Sequence, residues 1–341
     1  MSIRLKWSIR GFLLVVLAYL LVATQLEKHR VIETATQPLA ASNLDVSVDR
    51  SRLLADAQHL SDPSLEGRLT GTLGSHKAQE YIAHRFEEIG LRTFADGYRQ
   101  RFSFVRHSLK GLLLPSRPFK QAYPDATNLI GYLPGETYRD SWIVLSAHYD
   151  HLGVKNGKLH PGADDNASGV AAILATATYF SQHQPEHSLL VAAFDAEEKG
   201  LRGSYAFFDD PPVKPEQIAL EINLDMVSRN DENQIYVCGT YQSPTLKALV
   251  EPLASRSSVQ VLWGHDRPMW RAGLVENWVN LSDHGPFHDH GIPFLYFGVA
   301  DHEDMHEPGD TFERLQPDFF VETTRLILHT AMECDRAAAF R

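Results

Sequence analysis

The sequence contains little cysteine, no internal repeat and no low-complexity tract. Its 341 residues include 2 cysteines, too few for the disulfide framework that holds small secreted proteins together. Cys238 lies in a strand-like segment and Cys334 in a helix-like one, and we expect two buried, unbonded thiols. A chain of this length and ordinary apolar content can build its own hydrophobic core.

The sequence also lacks an excess of basic residues. Its formal net charge is −11, whereas a protein that binds nucleic acid or an anionic membrane surface needs a basic face. We therefore expect no nucleic-acid partner.

The N-terminus carries an apolar run, residues 11–24, that is shorter than the ~20 residues of a typical membrane span. Arg4, Lys6 and Arg10 precede this run and predict a cytoplasmic N-terminus. Residues 1–25 are thus predicted to be either a cleaved signal peptide or an uncleaved signal anchor, and the polar residues 26–45 a tether. Both alternatives predict export to the periplasm or the extracellular space; in the second, residues 11–24 hold the protein on the cytoplasmic membrane.

Apolar runs alternate with helical patterns along the rest of the chain. This alternation predicts an α/β fold, a three-layer sandwich with a central mixed, mainly parallel sheet flanked by helices, in one catalytic domain over 46–341. The predicted strands are 141–150, 188–198, 218–227 and 292–302; the predicted helices are 51–62, 76–90, 168–182, 243–256 and 317–336.

Each predicted strand ends in acidic or histidine residues, in "HYDH", "DAEEKG", "LDM" and "DHEDMHEPGD". Because ligands bind beyond the carboxyl ends of strands in open α/β sheets, these side chains should meet at one edge. In "DAEE", the adjacent Glu197 and Glu198 should diverge, so that one can bind metal while the other acts as a general base. Asp225, in an apolar strand, needs a cation or several hydrogen bonds.

Two further stretches leave questions that spacing alone does not answer. "HPGADDNASG" collects like charges that repel one another, and no structural reason for this is evident. After the last strand His306 is the candidate ligand, but His302 and Glu303 lie in the same loop.

Six motifs together resemble the co-catalytic zinc aminopeptidases, whose fold is shared with zinc carboxypeptidases and glutaminyl cyclases. They are, in chain order between residues 128 and 311, "SAHYDH", "GADDNASG", "DAEEKGLRGS", "LDM", "SDHGPFHDHGIP" and "MHEPGDT". The resemblance implies a zinc-dependent aminopeptidase that removes N-terminal residues from peptides with a free N-terminus. The first helices carry no diagnostic motif.

The resemblance also implies a role for each matching residue. Two Zn²⁺ ions would lower the pKa of a shared water and polarise the scissile carbonyl. Glu197 would be the general base, and Asp150 would orient a ligand histidine. The implied zinc ligands are His148 and Asp225 for one ion, Glu198 and His306 for the other, and Asp165 as the bridge between them.

Several supporting features are expected around these residues. The resemblance implies a cis bond between Asp165 and Asn166, and tight backbone shaped by Gly162, Asp164 and Asn166. Ser168 is expected to cap the next helix. Asp283 and His284 are expected to support the site, and residues 261–278 to form either a wall over the specificity pocket or ordinary packing.

Three alternatives remain open. A glutaminyl cyclase shares the scaffold but works with one zinc ion, and a catalytically silent receptor domain would be expected to lose ligands. A carboxypeptidase or dipeptidase is a third reading within the hydrolases.

Overall fold

The structure is a computed structural model that describes residues 32–34, 37–107, 120–268, 275–338 and 340. The predicted signal segment, the first part of the predicted tether and the middle of the 261–278 stretch lie outside these residues. Among the helices that the structure describes, none is both long and apolar enough to cross a membrane.

Eleven strands and seven α-helices make up the described fold. The strands are β1 (Glu33–Thr34), β2 (Arg99–His107), β3 (Lys120–Leu133), β4 (Tyr138–His148), β5 (Gly153–Lys155), β6 (Lys158–His160), β7 (His187–Phe194), β8 (Ile218–Leu224), β9 (Gln234–Cys238), β10 (Gln260–Trp263) and β11 (Phe294–Gly298). The helices are α1 (Arg50–Leu60), α2 (Leu73–Ile89), α3 (Gly169–Gln182), α4 (Arg202–Asp209), α5 (Pro244–Ala254), α6 (His284–Asp289) and α7 (Pro317–Arg336).

Nine strands form one mixed sheet in the order β1-β10-β9-β11-β8-β4-β7-β3-β2. Its centre, β11-β8-β4-β7, is parallel throughout. These are the four strands predicted from the apolar runs, and the fold class is confirmed. Antiparallel strands flank the parallel centre: β3 pairs with β7, and β9 with β11. Strands β2 and β3 were not predicted from the sequence.

Helices cover both faces of the sheet, because the central strands are apolar on both sides. Along β4, Ile143 and Leu145 join the larger core beneath α1, α2, α3, α5 and α7. Val144, which points the other way, joins a smaller core with Phe207 of α4 and Phe287 of α6. The result is the predicted three-layer arrangement.

Part of the segment predicted as a tether contacts the body of the protein. Strand β1 pairs antiparallel with β10, and the Glu33 carboxylate lies 2.8 Å from Lys247 Nζ and 2.5 Å from an Arg267 nitrogen. The backbone N–H of Leu39 donates to Ser257, and Leu44 is buried. Hydrogen bonding and burial therefore begin before residue 46, the predicted start of the domain.

Candidate metal centre

The carboxyl ends of the four central strands deliver the candidate ligands to one edge of the sheet. His148 is the last residue of β4, Glu197 and Glu198 follow β7, and Asp225 follows β8. His306 follows β11, and Asp165 lies in the turn between β6 and α3. Strands from distant parts of the chain thus place these side chains together, as expected for a parallel sheet.

Asp165 lies between two groups of side chains. Its Oδ1 is 3.4 Å from His148 Nε2, and the same nitrogen is 3.3 Å from Asp225 Oδ1. Its Oδ2 is 3.1 Å from His306 Nε2, which is 3.4 Å from Glu198 Oε1. One carboxylate therefore faces two separate clusters of nitrogen and oxygen atoms.

The spacing of these atoms fits metal ligands. Four ligands at ~2.0–2.2 Å around a tetrahedral Zn²⁺ lie roughly 3.3–3.6 Å from one another. The three separations between 3.3 and 3.4 Å match this spacing. Imidazole nitrogens and carboxylate oxygens are also ligands that zinc accepts. By donor chemistry and spacing, the residues present fit a two-metal site.

The electrostatics of the first cluster favour a cation. Burial alone would lower the pKa of His148, but the carboxylates of Asp225 and Glu197 raise it well above its usual value. Burial would raise the pKa of Asp225, yet His148 holds it below its usual value. The carboxylates of Asp225 and Glu197 thus stabilise positive charge at this cluster.

The second cluster behaves similarly. The adjacent carboxylates of Asp165 and Glu198 raise the pKa of His306 to about 10. Burial would raise the pKa of Glu198, but His151 and His306 hold it well below its usual value.

Glu197 faces the first cluster without joining it. Its Oε2 is 4.0 Å from His148 Nε2, and burial raises its pKa well above the usual value. The backbone N–H of Glu197 donates to Asp150 Oδ1 at 2.9 Å. A carboxylate so placed, with elevated basicity, can accept a proton from a group bound in front of it.

Asp150 contacts His148 through its backbone carbonyl. His148 Nδ1 lies 3.1 Å from that oxygen and 3.7 Å from Asp150 Oδ1. If Nδ1 donates to the carbonyl, Nε2 keeps its lone pair for a metal. The carboxylate, in turn, holds the backbone of Glu197.

The turn carrying Asp165 is tightly constrained. Gly162 has φ +62°, and a Cβ there would lie 2.2 Å from the Asp165 carbonyl oxygen. The Asp165–Asn166 peptide bond is cis, as expected. The Asp310 carboxylate accepts from the backbone N–H groups of Asp164 and Asp165 at 2.8 and 3.0 Å.

The capping of helix α3 differs from the expectation. Ser168 is the N-cap residue, but its hydroxyl donates to the Asp164 carbonyl at 2.7 Å and makes no capping bond. The Asn166 side chain accepts instead, from the N–H of Gly169 at 2.9 Å. The bend at Asn166 directs its amide toward the helix N-terminus.

The loop after β11 contains the other candidates as well. His302 Nε2 lies 3.1 Å from Asp164 Oδ2 and supports the turn from behind. Glu303 lies 3.3 Å from an Arg314 nitrogen and is exposed. The geometry therefore favours His306 over both as a metal ligand.

Asp283 and His284 lie behind the first cluster. Burial, partly opposed by His148, raises the pKa of Asp283 to about 7. His284 Nε2 is 2.8 Å from the Trp278 carbonyl, and Nδ1 is 3.3 Å from the amide of Asn223 in β8. Through Asn223, His284 braces the strand end that carries Asp225.

Within the described part of 261–278, side chains pack beside Asp225. Trp278 stacks on His265 with ring centroids 3.7 Å apart, and it contacts Tyr296 edge-on with centroids 6.0 Å apart. The Tyr296 hydroxyl lies 3.4 Å from the Asp225 carbonyl oxygen. Trp270 lies outside the described residues.

Sequence reasoning missed Arg68, which is fully buried. Its guanidinium donates to the carbonyls of Leu60, Tyr149, Pro161 and Gly162. Two of these carbonyls flank the β4 end and the Asp165 turn, so Arg68 ties the two ligand-bearing segments together. No local pattern could have indicated this, because the acceptors are main-chain atoms.

Thr70 was not predicted either, because its carboxylate partners lie far along the chain. Its hydroxyl donates to Asp195 at 2.9 Å and lies 3.4 Å from Asp150 Oδ2. Burial and the neighbouring Asp150 carboxylate raise the pKa of Asp195 to about 7.

The fold and the site therefore define a metal-dependent hydrolase built on a parallel-centred α/β sandwich, with two adjacent groups of side chains that could hold metal ions. The model of peptidase family M28 matches residues 128–331, and the chain belongs to that family. The resemblance drawn from the motifs is confirmed.

Known relatives agree with this assignment. Aminopeptidase YwaD from Bacillus subtilis is 27% identical over 218 residues, covering 60% of this chain and 44% of its own length. A vacuolar membrane protease of Candida glabrata is 27% identical over 141 residues, which cover 14% of that protein's length. The chain thus spans less than half of these curated relatives.

Solved structures show the same fold. A zinc aminopeptidase from Bacillus subtilis superposes with a TM-score of 0.64 at 17% identity, covering 87% of this chain and 98% of that chain. A glutaminyl cyclase from Bacteroides thetaiotaomicron superposes with a TM-score of 0.63 at 17% identity, covering 84% and 98%.

Proposed function

We propose that this protein is a zinc-dependent aminopeptidase that hydrolyses N-terminal residues from peptides. The observation that carries the proposal is the position of Asp165 between two clusters of zinc-type ligands, with the Glu197 carboxylate facing them. Family membership and the relatives' names support a peptidase with this chemistry. Two zinc ions are proposed, one for each cluster.

When bound, zinc would supply Lewis acidity, polarising the scissile carbonyl and making a water more acidic. Glu197 takes the proton from the attacking water and passes it to the leaving amine. The Asp150 carboxylate accepts a hydrogen bond from the backbone N–H of Glu197, and the Asp150 backbone carbonyl holds the His148 ring. In this assignment His148, Asp165, Glu198, Asp225 and His306 bind the metal ions.

The test uses aminoacyl-amide substrates with the wild type and Glu197→Gln. Proton transfer by a positioned group contributes ~10²–10⁴-fold to rate, so we expect the variant to lose at least about 100-fold in kcat while keeping its zinc. Glu198→Gln should lose zinc in addition to activity. Glu232 is exposed, and Glu232→Gln should behave like the wild type. Undiminished turnover in Glu197→Gln would remove Glu197 from its role.

A glutaminyl cyclase is the second candidate, favoured by the superposition with the Bacteroides enzyme. Two adjacent ligand clusters argue against it, because the resemblance implies a single zinc ion for cyclases. A peptide beginning with glutamine separates the two: cyclisation releases ammonia without shortening the chain, whereas an aminopeptidase releases free glutamine.

We also propose that the protein is exported, and that residues 11–24 either anchor it in the membrane or are cleaved. The support is the basic residues ahead of the apolar run. Fusing residues 1–45 to alkaline phosphatase tests export, since that reporter is active only outside the cytoplasm. N-terminal sequencing of the mature protein then distinguishes cleavage from anchoring.

A further inference from the structure

A third histidine, His151, lies against the second ligand cluster. Its side chain is fully buried, and Nδ1 is 2.9 Å from Glu198 Oε1 and 3.6 Å from Asp165 Oδ2. These are the two carboxylates that His306 approaches from the other side, and the two imidazole rings are 6.0 Å apart. His151, Asp165 and Glu198 bring their ligand atoms within 4.8 Å of one another.

Among the residues that the structure describes, none forms a hydrogen bond with either nitrogen of the His151 ring or with Glu198 Oε1. Buried polar atoms are rarely left unpaired, because such an atom loses its hydrogen bonds to water and gains none in return. Although Nδ1 and Oε1 are close, they are not aligned for a hydrogen bond. An imidazole nitrogen and a carboxylate oxygen that lie close together without a hydrogen bond are arranged as two ligands of one cation would be.

The surroundings hold the ring in place. The backbone N–H of His151 donates to the Arg68 carbonyl at 3.4 Å. A Cβ on Gly162 would lie 2.5 Å from the His151 ring, so the absence of a side chain there leaves room for the imidazole. His306, by contrast, has a half-exposed side chain.

We propose that His151 is a further ligand of the metal position formed by Asp165, Glu198 and His306. This rests on the proposed two-metal site and adds a ligand to it. The second position would then have two imidazoles and two carboxylates, and the first only His148 with Asp165 and Asp225. The two positions therefore bind metal unequally, and the second position fills first.

The experiment compares wild type with His151→Phe, which keeps a ring of similar volume and removes both nitrogens. Zinc affinity is measured by competition with a chromophoric chelator, and the geometry of each position by visible absorption as Co²⁺ is added stepwise. We expect the affinity for the more tightly bound zinc ion to fall by at least about 10-fold, because loss of even an outer-shell partner costs ~10–100-fold. We also expect the absorption of the tighter Co²⁺ equivalent to change in the variant.

The matched control is His187→Phe. His187 is equally buried, but its ring nitrogen lies 2.8 Å from the Asp335 carbonyl, away from the site. This control should leave both metal equivalents unchanged. Circular dichroism of the chelated proteins confirms that each variant folds, and His151→Asn provides a smaller second variant.

An unchanged cobalt absorption of the tighter equivalent in both folded His151 variants overturns the proposal, whatever the change in affinity. That result leaves the proposed function intact if the wild type cleaves peptides. Conversely, a wild type that binds two ions and cleaves no aminoacyl substrate refutes the proposed function and leaves the His151 assignment standing.

Discussion

Replacement of Arg68 should strongly destabilise the protein. The guanidinium is fully buried and donates to four carbonyl oxygens from three segments. Burial lowers the pKa of Arg68 to about 10 despite the nearby carboxylates, so at neutral pH the side chain stays charged. Arg68 therefore contributes to stability through the hydrogen bonds from its charged guanidinium to these carbonyls.

The magnitude follows from the four acceptors. Each buried carbonyl left without a donor costs ~1–3 kcal/mol, so Arg68→Met should lower the free energy of unfolding by about 4 kcal/mol or more. Arg68→Lys retains the charge, but a point-like ammonium with three donors cannot reach four carbonyls arranged around a planar fork. We expect that variant to lose about 2 kcal/mol.

Urea denaturation of the chelated full-length protein, followed by far-UV circular dichroism, measures both losses. Arg50→Lys provides the matched control, since its ion pair with Asp318 is exposed and such pairs contribute ~0–1 kcal/mol. A lysine variant within about 1 kcal/mol of the wild type would show that charge alone, and not the fork, holds the loops.

Three further predictions address the supporting structure. Burial lowers the pKa of His284 to about 4, so the unfolded chain binds the extra proton below pH ~6.5. Stability should fall by up to about 3 kcal/mol between pH 6.5 and 4, and His284→Gln should show a shallower fall in urea midpoint. Burial raises the pKa of Cys238 and Cys334, so a thiol reagent at pH 8 should label neither in the native protein and both in denaturant; a single labelled thiol in the native state would contradict this. Chelation should lower the Tm by several degrees, because a ligand at 1,000 times its Kd adds about 4.1 kcal/mol; Zn²⁺ should restore the Tm and Mg²⁺ should not.

The parallel centre of the sheet was predictable because its strands are continuous apolar runs that each end in chemistry-bearing residues. Residues at strand ends, such as His148 and Asp225, converge by topology alone. The antiparallel strands β2 and β3 were not predicted, since the first half of β3 is mostly exposed and the strand carries no continuous apolar run. Their pairing depends on partners far along the chain.

The same distinction divides the site. Sequence motifs indicated the candidate ligands but not the supports, because supports such as Arg68 and Thr70 act through main-chain atoms and distant carboxylates. His151 stands within the motif "HYDH", yet spacing does not show whether its ring turns toward Glu198 or toward solvent. Only the folded loop, held beside Gly162, determines that orientation.

The most direct test of the account is an anomalous difference map at the zinc absorption edge from zinc-loaded crystals of the protein. We predict two peaks, one on each side of Asp165, with His148 and Asp225 at one and Glu198 and His306 at the other. A map with no peak at Asp165, or with zinc bound only elsewhere, would contradict the two-metal centre on which the proposed hydrolysis depends.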